Sequence, residues 1–64
     1  MKSRLKELRE SKGVTQREVA KAIRCSSPNT YARYERGLRE PDIDTLKQLS
    51  KYFGVSIDYI LCND

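Results

Sequence analysis

The sequence predicts an all-α fold of five short helices. Apolar residues recur three and four positions apart through most of the chain. Residues that start or stop helices stand at nearly every boundary between these segments. No segment alternates apolar and polar residues as a half-buried strand would.

In the first helix, expected over residues 4–12, Leu5 and Leu8 stand at helical spacing with Arg9 and Lys12. Ser3 is placed to cap its start, and Gly13 to end it in the left-handed conformation that glycine adopts without penalty. Thr15-Gln16-Arg17-Glu18 is a capping box, in which a threonine oxygen and a glutamate satisfy the free amides of a first turn. Val14 and Val19 flank it as a hydrophobic staple, so the second helix starts at Gln16 and turns Val19, Ala20 and Ile23 inward.

Arg24-Cys25-Ser26-Ser27 loses the period and reads as a tight turn. Ser27 followed by Pro28 is a cap and first-position pair, because proline there lacks only an amide hydrogen that had no partner. The third helix is therefore expected from Pro28 to Arg36, stopping at Gly37. After the loop Leu38-Arg39-Glu40-Pro41, Asp42 caps a fourth helix with Ile43, Leu46, Leu49, Ser50 and Phe53 on one stripe, and Gly54 ends it. Ser56 caps a last short helix carrying Ile57, Ile60 and Leu61, with Val55 and Ile60 as a second staple. Without repeats, linkers or low-complexity tracts, residues 1–64 read as one domain.

A chain of 64 residues, 38% hydrophobic and 34% charged, has material for one small core under a charged surface and little room for a deep cleft. Its net charge of +4 is concentrated: residues 1–39 carry +7 and residues 40–64 carry −3. The first part is thus the expected anion-facing part. Histidine is absent, and Asp42 and Asp44, two apart at a helix start, do not face each other, so an enzyme is the least favoured class. Cys25 and Cys62 are too few for a disulfide scaffold or a zinc site, and neither metal nor cofactor is expected. No run approaches a membrane span and no apolar leader opens the chain, which points to a reduced, cytoplasmic protein.

Two short helices joined by a tight turn, the first presenting a small residue to the second, are the arrangement that projects a recognition helix into DNA; Ala20 is that small residue. Around it stand Leu5-Lys6-Glu7-Leu8-Arg9-Glu10, Gly13 to Ala20, Arg33-Tyr34-Glu35-Arg36-Gly37, Arg39-Glu40-Pro41 and Phe53 to Leu61. In these ordered blocks, from about Arg4 to Leu61, the chain resembles the phage repressor and Cro-type helix-turn-helix family, also called the Xre family.

The resemblance implies a compact five-helix repressor-like DNA-binding domain, with helices two and three forming the motif and a homodimer, at least on DNA, acting on a two-fold operator. It also implies a prokaryotic or phage-encoded, nucleoid-associated regulator. The departure from the family lies in the turn, where Leu-Gly-Val-Ser becomes Ile23-Arg24-Cys25-Ser26-Ser27, one residue longer and with Arg24 at the glycine. Anchored on Arg33-Tyr34-Glu35, this register puts Tyr31 in the core and Pro28 where relatives carry a polar DNA contact.

On that register Asn29, Thr30, Ala32 and Arg33 are the candidate base readers: arginine pairs bidentately with guanine, asparagine with adenine, and alanine meets a thymine methyl. Asn29 and Thr30 would equally suit a helix start. Gln16, at a helix start with free amides, matches the family's phosphate-contacting glutamine. Arg17, Ser27, Arg36 and Arg39 join it as phosphate candidates, with Arg24 a weaker one. Arg9 and Glu35 lean toward the core, and in relatives the matching pair is a buried ion bridge between helices one and three.

Tyr52, Tyr59, Ile60 and Leu61 supply the apolar surface expected to meet a second copy. The rival function is a protein-interaction module, such as an antitoxin, on the same fold. Family members often carry a further domain, and this chain is either a self-sufficient regulator or part of a longer one.

Overall fold

Four local caps set the architecture. In the computed structural model, which describes residues 3–62, the elements are α1 (Leu5–Lys12), α2 (Gln16–Ala22), α3 (Pro28–Arg36), α4 (Ile43–Phe53) and α5 (Ile57–Ile60). Thr15 Oγ1 accepts from the Glu18 amide at 3.1 Å, Ser27 Oγ from Thr30 at 3.3 Å, Asp42 Oδ1 from Thr45 at 2.8 Å and Ser56 Oγ from Tyr59 at 3.0 Å. Each bond satisfies an amide that a helix start leaves without a partner. The amide bonded to Asp42 also holds its carboxyl below the usual range.

α1 begins differently from the expectation. Arg4, not Ser3, stands at its cap position and no side chain caps it. The Arg4 amide instead donates to the Ile60 carbonyl at 3.0 Å and its Nη1 to the Tyr59 carbonyl at 2.8 Å, so contact with α5 at the far end of the chain sets where α1 starts. The Arg4 guanidinium also lies 4.3 Å from the Tyr59 ring centre.

α1, α3 and α4 close on Gly13, Gly37 and Gly54 with φ of 73°, 74° and 69°. α2 closes on Arg24, at φ 57°, with the Cys25 amide returning to the Ala20 carbonyl at 2.8 Å. The arginine thus takes the left-handed position that the family gives to glycine, and the added residue of the turn falls after it. Because Ser27 remains the cap, α3 keeps the register set by Arg33-Tyr34-Glu35.

The core is Leu5, Val19, Ala20, Ile23, Tyr31, Tyr34, Leu46, Leu49 and Ile60. Ala20 is 2% exposed between α2 and α3, where a larger side chain would hold the helices apart. Tyr31 is fully buried, its ring edge-on to that of Tyr34 at 6.5 Å.

The expected α4 stripe holds at Leu46 and Leu49 and fails at Ile43, which is 67% exposed. Periodicity gives the direction of a side chain, but burial also needs a neighbour, and the first turn of α4 lies beyond the core's cover. Ile60 is likewise not free to meet a second copy: it is fully buried in its own chain. Tyr52 and Leu61 are half-buried against the same core.

Candidate nucleic-acid interface

The amino end of α2 abuts the carboxyl end of α1 and the two ends of α3. Between them lies an open groove of about 740 Å³ whose charged or amide-bearing lining is Lys6, Arg9, Gln16, Arg17, Glu35 and Arg36. Glu35 is the only acid among these, so the groove favours an anion.

The floor is an ordered network. Arg9 Nε donates to Glu35 Oε2 at 2.6 Å and Nη2 approaches Oε1 at 3.4 Å, while Nη1 reaches the Val14 carbonyl at 3.2 Å. Gln16 Nε2 donates to the same Glu35 Oε1 at 3.1 Å. The side chains of Arg9 and Glu35 are 17% and 3% exposed. α1, α2 and α3 are thereby joined through one carboxylate.

Burial alone would push the Glu35 carboxyl up. The hydrogen bonds from Arg9 and Gln16, with the neighbouring Tyr31 phenol, outweigh burial and hold it below the usual range. The hydrogen bond to Glu35 raises Arg9 further, against burial. Tyr31 is pushed far up, first by burial and then by the Glu35 charge, so its phenol stays neutral.

The outer surface of α3 has another character. Asn29, Ala32, Arg33 and Arg36 follow the i, i+3, i+4, i+7 spacing of one helical stripe, facing away from Tyr31 and Tyr34. Asn29, Arg33 and Arg36 are exposed and Ala32 is half-buried. Of this stripe Arg36 also lines the groove, so it connects the two surfaces.

Thr30 falls beside the stripe. Its amide and hydroxyl both meet Ser27 Oγ, at 3.3 Å and 3.2 Å, and its hydroxyl is 3.5 Å from that of Ser26. Thr30 and Ser27 therefore serve the start of α3 in the free chain. Arg39 stands in the following loop, exposed and close enough to Asp42 to lower its carboxyl further.

The structure thus brings Gln16, Arg17 and Arg36 to one groove with the Arg9–Glu35 pair, puts Asn29, Ala32 and Arg33 on the adjoining helix face, and leaves Arg39 in the loop beyond. It sets Arg24 elsewhere, in a second groove that shares no lining residue with the first. Lys6 belongs to the first groove and was missed in the sequence. Its signal was there: it stands one helical turn before Arg9 and two before Gly13, on the same side of α1.

A family of helix-turn-helix domains matches residues 5–60. Among curated proteins, the chain is 46% identical over 61 residues to the transcriptional regulator ImmR of Bacillus subtilis, covering 95% of this chain and 47% of that protein. It is 43% identical over 58 residues to the SPbeta prophage-derived regulator YonR of the same species, covering 91% and 53%. It is 38% identical over 55 residues to the cryptic phage CTXphi transcriptional repressor RstR of Vibrio cholerae, covering 86% and 49%. The chain therefore spans about half the length of these relatives. No solved structure gives a significant match. No helix among the described residues is long and apolar enough to cross a membrane.

Proposed function

Because this chain belongs to the helix-turn-helix family of phage repressor and Cro type, we propose that it regulates transcription, as a repressor, by binding a specific duplex DNA site with α3 in the major groove. The observation that carries this reading is the outward stripe Asn29, Ala32, Arg33 and Arg36 beside the basic groove at the amino end of α2. A helix fits the major groove and reads base edges with the residues of one face.

In this reading the network acts first. Gln16 spends one amide hydrogen on Glu35 and keeps the other for a phosphate oxygen, so the contact is oriented before DNA arrives. Arg17, Arg36, Arg39 and Lys6 add charge along the backbone, and Ser27 places a phosphate near the amino end of α3. With that register set, Arg33 reads a guanine, Asn29 an adenine and Ala32 a thymine methyl, and Thr30 supports Asn29 from the first turn.

On a two-fold site a second copy occupies the other half, about one helical turn away, roughly 10 base pairs centre to centre. Among the described residues the large apolar side chains left exposed for it are Leu38, Ile43 and Tyr59, at 68%, 67% and 37%.

Selection of binding sites from random duplex DNA tests the reading. The expected product is a pseudo-palindrome whose affinity falls steeply with salt. Enrichment of no sequence, together with specific retention of a protein partner, would instead establish an interaction module such as an antitoxin.

A further inference from the structure

At the other end of α2 lies a second groove, of about 410 Å³, lined by Ala22, Arg24, Gln48, Lys51 and Tyr52. Gln48, Lys51 and Tyr52 share one face of α4, and Arg24 reaches it from the turn after α2. A third cation adjoins them, since Lys12 Nζ sits 4.9 Å from the centre of the Tyr52 ring. Among the described residues no acid lines this groove, and neither Arg24 nor Lys51 makes an ion pair.

Arg24 is one of two non-glycine residues with positive φ among the described residues, the other being Cys62 at 61° after α5. α1, α3 and α4 use glycine for the left-handed residue that ends them, whereas α2 uses this arginine at φ 57°. A side chain at that conformation is penalised by contact of its Cβ with the following carbonyl, so the fold by itself favours glycine there. A left-handed arginine lining a groove that also holds Lys51 is a pointer to a site.

We propose that this groove docks an acidic segment of a protein partner, with Arg24, Lys51 and Lys12 meeting its carboxylates and Tyr52 and Ala22 forming an apolar floor between them. Arginine suits such a role because its fork holds a carboxylate by two parallel bonds. Arg24, weighed from the sequence as a weaker phosphate contact, lies outside the groove at the amino end of α2 and off the outer stripe of α3, so in this proposal the partner binds while α3 remains on DNA. Such a segment would bring a second protein to the site the domain occupies.

The test titrates the ¹⁵N-labelled protein, already saturated with a selected duplex, with a short synthetic peptide of Asp, Glu and Leu. Amide shifts are expected at Arg24, Gln48, Lys51 and Tyr52, with none from a matched peptide of Asn, Gln and Leu. The Arg24→Gly, Lys51→Gln double variant should weaken the peptide about tenfold or more and leave duplex affinity unchanged. Arg24→Gly alone should not lower the melting temperature, and relief of the left-handed arginine should raise it by about 4 °C. Release of the duplex by the peptide, shifts centred on Gln16 and Arg36, or undiminished peptide affinity in the double variant would each overturn the proposal. A loss of duplex affinity in the double variant would also overturn it, by assigning the groove to DNA.

Discussion

Around Gln16 the polar side chains are tied to one another: Arg9, Gln16 and Glu35 share hydrogen bonds across three helices, and Glu35 is almost sealed from solvent. Along the outer stripe of α3, Asn29 and Arg33 are exposed, and among the described residues their side chains make no hydrogen bond or ion pair. These regions adjoin at α3, which supplies Glu35 to the one and Asn29 and Arg33 to the other, and they differ in what they have left to give. A tied side chain is already oriented and loses little freedom on binding, which suits a phosphate present at every step of a duplex. A free one keeps its donors for base edges that differ from site to site.

The largest expected effect breaks the tied region. Arg9→Met leaves the Glu35 carboxylate unpaired in a nearly closed space, at a cost of about 3 kcal/mol, and melting should fall by more than about 12 °C. Glu35→Gln should cost less, because Arg9 at 17% exposure retains a path to water. In the double variant the loss should be smaller than the sum of the single losses, as it must be for partners in contact. Equal additive losses would place the two residues outside a common network.

Much of this construction was legible in the sequence because it is local. The caps at Thr15, Ser27, Asp42 and Ser56 each bond an amide three residues on, a distance the chain itself fixes. The ends of α3 followed from Ser27-Pro28 and Gly37 for the same reason. What failed was long-range. The start of α1 depends on α5, the exposure of Ile43 on which helix covers it, and the burial of Ile60 on the closing of the chain ends. Gln16 gave no sign of its bond to Glu35, nineteen positions away, since a glutamine at a helix start is common in any fold.

A middle-sized effect concerns charge alone. Arg39 stands beyond the network and off the α3 stripe. Arg39→Ala should therefore weaken binding to all duplexes about equally, and the slope of log affinity against log salt should become shallower by about one unit. A change of base preference would move Arg39 among the readers.

The smallest effect is seen in acid. Glu35 is held below its ordinary value of 4.5, so its contribution to stability is complete above that value and is lost as the pH falls through the lowered one. Melting temperatures recorded downward from about pH 4.5 should fall more steeply for the native chain than for Glu35→Gln. Parallel curves would mean that the carboxylate gains nothing from Arg9 and Gln16.

The contrast between a tied and a free surface is tested most directly by Arg33→Ala, read as a full base-preference profile rather than as one affinity. The expected loss on the preferred site is about 1–3 kcal/mol, with relaxed choice at one or two base pairs and a much smaller loss on random duplex. A uniform loss with the preferred bases unchanged would make Arg33 a phosphate contact and contradict the assignment of reading to the outer stripe of α3.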